Sequence, residues 1–115
     1  MDLEYRPLTQ TEVQVLERLL QRSFVGAEEL RRQIYNAEAR QIIDDGTLAL
    51  SCTGGAVPSP ARGLVAEGTY QDRDGTTISV LLHVDNSGFL KMLEVLKPGP
   101  SPVVQPPVAA NLDVL

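Results

Sequence analysis

A thiol, an imidazole and a carboxylate are the parts of a nucleophile, base and orienting group, and this chain holds one candidate of each in Cys52, His83 and Asp85. Cys52 and His83 are the only cysteine and histidine in the 115 residues. Cys52 closes the apolar run "TLALSC" and precedes Thr53-Gly54-Gly55, whose backbone amides would offer donors to an oxyanion. His83 and Asp85 lie in "ISVLLHVD". On a strand, residues two apart point the same way with Cα atoms about 7 Å apart, too loosely spaced for an orienting hydrogen bond. Ile78, Val80, Leu82 and Val84 share one strand face and read as core, which puts His83 on the other face with Ser79, Leu81 and Asp85. The simpler reading is a free cysteine packed as a small hydrophobe and a surface histidine, with no catalytic centre.

Metal and cofactor sites are not expected either. Asp44-Asp45-Gly46 and Asp72-Arg73-Asp74-Gly75 superficially suggest calcium loops but lack ligands at alternate positions and a closing glutamate. Gly54-Gly55 lacks the lysine and hydroxyl residue of a phosphate loop. The aromatics Tyr5, Phe24, Tyr35, Tyr70 and Phe89 are too dispersed for a base-stacking platform.

These residues must be positioned by two kinds of element. After Pro7, Thr9 and Glu12 have capping-box spacing and open a helix over about residues 10 to 23, with Val13, Val15, Leu16, Leu19 and Leu20 on its apolar stripe. Gly26 breaks the run, and "AEELRRQIYNAEAR" reads as a second amphipathic helix with Ala27, Leu30, Ile34 and Ala37 on one side. The short connection predicts a helical hairpin. From residue 40 the period falls to two. Asp44-Asp45-Gly46, Asp74-Gly75 and Asn86-Ser87-Gly88 punctuate about five strands: 40–43, 47–53, 63–70, 77–85 and 89–97. "TGGAVPSPAR", 53–62, is a longer loop. Two registers of the last hairpin stay open, one setting Glu94 and the other Lys91 against the apolar face.

The expected fold is therefore α+β: an N-terminal helical hairpin packed on one face of a mostly antiparallel, mostly meander-connected sheet of about five strands. Residues 1–97 make one domain. Residues 98–115 make a proline-rich extension, expected to stay out of the sheet because proline lacks the ladder donor.

Charge narrows the function. The net charge is −5, and Arg18, Arg22, Arg31, Arg32 and Arg40 are interleaved with Glu12, Glu17, Glu28, Glu29 and Glu38, so no basic face exists for nucleic acid. No run approaches the roughly 20 apolar residues of a membrane span. The acidic start "MDLE" and the lone cysteine point to the cytoplasm.

"RPLTQTEVQVLERLL" and "VAEGTYQDRDGTTISVLLHVDNSGFLKMLEVLK" resemble a family of small bacterial proteins known as a domain of unknown function. The resemblance covers nearly the whole chain, with "PGPSP" as a departure, and implies no activity or catalytic residue. The expected function is a non-catalytic protein-binding or regulatory module, immunity-like in kind, acting on a protein partner or through self-association. Val103, Val104, Leu112, Val114 and Leu115 of the apolar tail are the partner-binding candidates. The alternative is a small hydrolase or transferase using Cys52 and His83.

Overall fold

A computed structural model describes residues 2–115. Two short helices, α1 (Gln10–Leu19) and α2 (Ala27–Gln33), cover one face of a seven-stranded sheet. Its strands are β1 (Arg6–Pro7), β2 (Ala37–Gln41), β3 (Leu48–Cys52), β4 (Gly63–Gln71), β5 (Thr77–Val84), β6 (Leu90–Leu96) and β7 (Asp113–Val114). They lie in the order β1-β2-β3-β6-β5-β4-β7, and every neighbouring pair is antiparallel.

The capping box at the start of α1 is present: Glu12 N–H donates to Thr9 Oγ1 at 3.2 Å and Thr9 N–H to Glu12 Oε1 at 2.9 Å. Val15, Leu16, Leu19 and Leu20 are buried. The helix stops at Leu19, earlier than its periodicity suggests, and the carbonyls just beyond its end are taken by Arg31, whose Nε donates to Leu20 O and whose Nη2 donates to Arg22 O.

The expected helical hairpin does not form. The second helix ends at Gln33, passes through one 3₁₀ turn (Ile34–Asn36) and becomes β2. Residues 37–41 are helix formers on paper, but Ala37 to Gln41 pair residue for residue with Cys52 to Leu48, and Ala39 is buried against Leu50. Sheet pairing outweighs the intrinsic preference, which spans well under about 1 kcal/mol per residue for ordinary side chains. Two turns of α2 are too short to form a hairpin with α1, which packs on the 3₁₀ turn that follows α2, on β4 and on a second 3₁₀ turn, Ala109–Asn111, in the tail.

The strands expected at 47–53, 63–70, 77–85 and 89–97 are found within a residue or two of those bounds, and the one expected at 40–43 runs from 37 to 41. Two more, β1 and β7, raise the count beyond five. The connectivity also departs from a simple meander. The chain leaves β3, crosses by the loop 53–62 to β4 on the far side, and meanders back through β5 to β6, which then pairs with β3. This is a Greek-key arrangement traced backward.

Buried polar groups secure the crossover. Gln33, 1% exposed, donates from Nε2 to Val57 O and Gly88 O and accepts at Oε1 from Leu90 N–H. Ser59 donates from Oγ to Gly26 O and from its backbone N–H to Gly88 O. Gly88 sits at φ +89°, and any Cβ there would collide with the Ser59 carbonyl, so glycine is required at this turn.

The proline-rich tail re-enters the sheet, contrary to expectation. Asp113 and Val114 pair with Thr69 and Gly68, and Leu115 N–H donates to Glu67 O. The prolines end at Pro107, so the segment beyond them is free to supply ladder donors. Arg18 and Arg22 of the α1 region reach across to the carbonyls of Leu112 and Val114. Upstream, the carboxylate of Asp72 accepts from Val104 N–H, Gln105 N–H and Lys97 Nζ, while Tyr70 Oη donates to Gln105 O at 2.6 Å.

Candidate functional site

The sheet has two faces with different fates. Ile78, Val80, Leu82 and Val84 of β5, with Leu90, Leu93 and Val95 of β6, form the core under the helices. The pattern 90, 93, 95 changes phase by one residue. The structure absorbs that slip in a bulge, pairing His83 with Met92 and Val84 with Leu90 so that Lys91 is extra. Neither register weighed from the sequence holds along the whole strand: Lys91 is exposed and Glu94 lies opposite Leu81, both away from the core.

His83 is on the open face, as its parity requires, and its partner is Glu94, with Nε2 3.0 Å from Oε1. The two side chains are about one quarter exposed. The contact with the Glu94 carboxylate fixes the orientation of the ring. Beside the ring is an open depression of about 480 Å³ lined by Gly63, His83, Asp85, Ser87, Lys91 and Met92. Asp85 does not orient the imidazole. Its Oδ1 accepts from the Ser87 and Phe89 amides and holds the β5–β6 turn.

Cys52 is elsewhere. It continues the Leu48, Leu50 side of β3, packs against the core, and its Sγ–H donates to Gln33 Oε1 at 3.6 Å. Burial pushes its thiol up, and the nearby Asp85 carboxylate adds to this against a backbone hydrogen bond at Leu90. The thiol therefore stays protonated near neutral pH. With Cys52 on the helix side of the sheet and His83 on the other, the sheet itself stands between sulfur and imidazole.

The remaining charged cluster is structural. Burial would raise Asp72, but the Lys97 ammonium and the amides of Val104, Arg73 and Gln105 hold its carboxyl well below the usual range. Asp72 and Asp74 together raise Lys97. Burial pushes Tyr70 up to about 12, with Asp72 and Asp45 contributing. Asp72, Lys97 and Tyr70 each bond a backbone group of the tail. A smaller, mainly apolar cavity of about 210 Å³ lies between Thr9, Val15, Leu48, Leu93, Pro106 and Pro107. Glu12 on its rim is committed to Arg6. Among the described residues, no three His, Cys, Asp or Glu side chains converge as a metal would need, and no helix is long and apolar enough to cross a membrane.

The tail candidates divide sharply. Leu112 is 1% exposed and belongs to the chain's own core, pressed over Gly68. Val103 and Val114 are partly buried against that core. Val104 and Leu115 are exposed, at 53% and 63%. What the tail leaves uncovered is the face of the sheet opposite the helices. One cross-strand row there runs Arg40, Ala49, Met92, His83 and Leu64, and the next holds Glu94, Leu81 and Glu67. Arg40 stacks 5.6 Å above the Tyr5 ring, and its buried Nε has no hydrogen-bond partner among the described residues.

The fold and these sites define a small α+β protein with an open-faced antiparallel sheet whose candidate reactive groups are kept apart. Residues 5–107 match the model of a domain of unknown function, DUF6984, and the chain belongs to that family. Comparison with curated proteins and with solved structures finds no match.

Proposed function

We propose that the chain is a non-catalytic protein-binding or regulatory module, acting on another protein in the manner of an immunity protein, and that the open face of the sheet is its contact surface. One observation carries this reading. Both helices, the crossover and the tail pack on one side of the sheet or along its edge, while Leu64 and Leu96 on the other side are 52% and 47% exposed beside the half-buried Leu81 and Met92. Antiparallel sheets do leave one face to water, and on this one the four large apolar side chains lie among Arg40, His83, Glu67 and Glu94. Val104 and Leu115 extend the proposal to the exposed part of the tail. The Cys52 and His83 reading is not carried forward, because the two groups do not share a face.

The test compares capture from an extract of the native source by wild type, by Leu81→Asp/Leu96→Asp, and by Glu17→Lys on the exposed side of α1. A protein retained by wild type and Glu17→Lys but released by the open-face variant supports the proposal. Retention of nothing, or equal retention by all three, rejects it.

A further inference from the structure

We propose that the cavity between the start of α1, the sheet and the tail binds a small neutral molecule, a single ring carrying one hydroxyl or N–H group. The cavity lies on the helix side of the sheet, away from the contact face proposed above, and neither reading depends on the other. Its volume is about 210 Å³. An apolar cavity of roughly 150 Å³ accepts benzene, whereas drug-sized ligands occupy pockets of roughly 300 Å³ and more. A partner's helix, about 10 Å across, cannot enter such a space. The occupant the volume admits is one ring with a short substituent.

Each wall of the cavity is held by contacts outside it. The start of α1 is fixed by the Thr9–Glu12 capping box and by Arg6, whose guanidinium donates to both Glu12 oxygens at 2.8 and 2.9 Å. The opposite wall is Pro106 and Pro107, whose rings fix their own φ. The residues just before them are pinned in turn: Asp72 accepts from the Val104 and Gln105 amides, and Tyr70 Oη donates to Gln105 O. The floor is set by Leu48 and Leu93, paired across β3 and β6, and by Val15 above them. Walls anchored on their outer sides do not collapse together, and a ligand meets a site that is already formed, so little ordering opposes its binding.

The lining decides the chemistry. Val15, Leu48, Leu93 and Pro107 are buried and apolar and suit the body of a ring. The mouth carries Thr9, Thr11 and Gln41. Gln41 donates from Nε2 to Ile43 O, which leaves its Oε1 as an acceptor for a ligand hydroxyl or N–H. Glu12 is the charged side chain of the lining, and Arg6 and the Thr9 amide already occupy its oxygens. A charged ligand would give up its hydration and meet no free counter-charge. A neutral one meets no such penalty.

Titration of the full chain with benzyl alcohol, followed by NMR, provides the test, with toluene and benzoate as comparison probes. Benzyl alcohol is expected to saturate with a Kd of about 0.1–1 mM, to shift the methyl signals of Val15, Leu48 and Leu93 most, and to raise Tm by about 5 °C at ten times Kd. Toluene, which lacks the hydroxyl, should bind roughly threefold or more weakly, and benzoate roughly tenfold or more weakly. Val15→Phe places added bulk in the floor and should weaken benzyl alcohol roughly tenfold, whereas Glu17→Lys on the outer side of α1 should leave it unchanged. Should Val15→Phe not fold, intermolecular NOEs in wild type decide: contacts from the ring protons to the Val15, Leu48 and Leu93 methyls support the site, and their absence rejects it. No saturable shift up to about 20 mM, or largest shifts away from this cavity, overturns the proposal. So does benzoate or toluene binding as tightly as benzyl alcohol, or a folded Val15→Phe that binds as wild type does.

Discussion

Replacing Leu112 with alanine should destabilise the protein far more than the same change three residues later at Leu115. The Leu112 side chain is 1% exposed and seated over Gly68, where even a glycine Cβ would approach its Cδ1 to 3.0 Å. Truncation removes about three methylene equivalents, worth roughly 0.8 kcal/mol each by transfer. The space left behind cannot close fully, because Arg18 still holds the Leu112 carbonyl, so a total of about 3–4 kcal/mol is expected, inside the measured range for buried leucines. For a domain of this size roughly 4 °C is lost per kcal/mol, giving a fall of about 12–16 °C in Tm. Leu115 is 63% exposed, and its truncation should cost under about 0.5 kcal/mol, or some 2 °C. Urea denaturation followed by circular dichroism measures both, and an unchanged slope would show that the loss lies in stability and not in compactness. Equal, small shifts for the two variants would refute the assignment of the tail to the core.

Other outcomes follow from the same contacts. Gln33→Leu strands Leu90 N–H and removes a donor from the Val57 and Gly88 carbonyls; a loss of about 3 kcal/mol or more is expected in denaturant titration, and one under 1 kcal/mol would show that the crossover does not depend on it. Asp72 has a folded pKa below its unfolded value of about 3.9. Its contribution is therefore fully present above that pH and lost as pH falls through it toward the folded value. Asp72→Asn should accordingly lower Tm at pH 7 and flatten its decline between pH 5 and pH 2. Cys52, with a raised pKa and a partly buried sulfur, should react with iodoacetamide at pH 7.5 at least tenfold more slowly in the folded protein than in urea; equal rates would contradict its placement.

Local signals in the sequence were reliable where a single element decides the outcome. Thr9 and Glu12 announce their helix because the capping box is satisfied within four residues, and the alternation of 78, 80, 82 and 84 assigns His83 to the open face without knowledge of any neighbour. Residues 37–39 read as helix because their state depends on Leu50 to Cys52 arriving alongside. The tail was misread because proline content describes residues 98–107 and says nothing of the eight beyond them, which are held by arginines from the α1 region. Glu94 as the partner of His83 was within reach: an apolar set at 90, 93 and 95 fits one strand face only if a residue is looped out. Arg40 offered no such signal: its stacking on Tyr5 arises only once the N-terminal strand has paired with β2.

The reversed Greek key also has a kinetic consequence. The segment 63–96 can form its three strands through tight reversals, each closing only a few residues. Leu48 and Leu93, by contrast, meet across 45 positions, roughly three doublings of loop length beyond a hairpin and some 2 kcal/mol more closure entropy. Docking of the N-terminal third onto a three-stranded unit is thus the step expected to be slow, and the seam expected to close last is the one where Thr47 accepts from Val95 N–H; hydrogen exchange during refolding that protects the Val95 amide as early as those of β5 would refute this order.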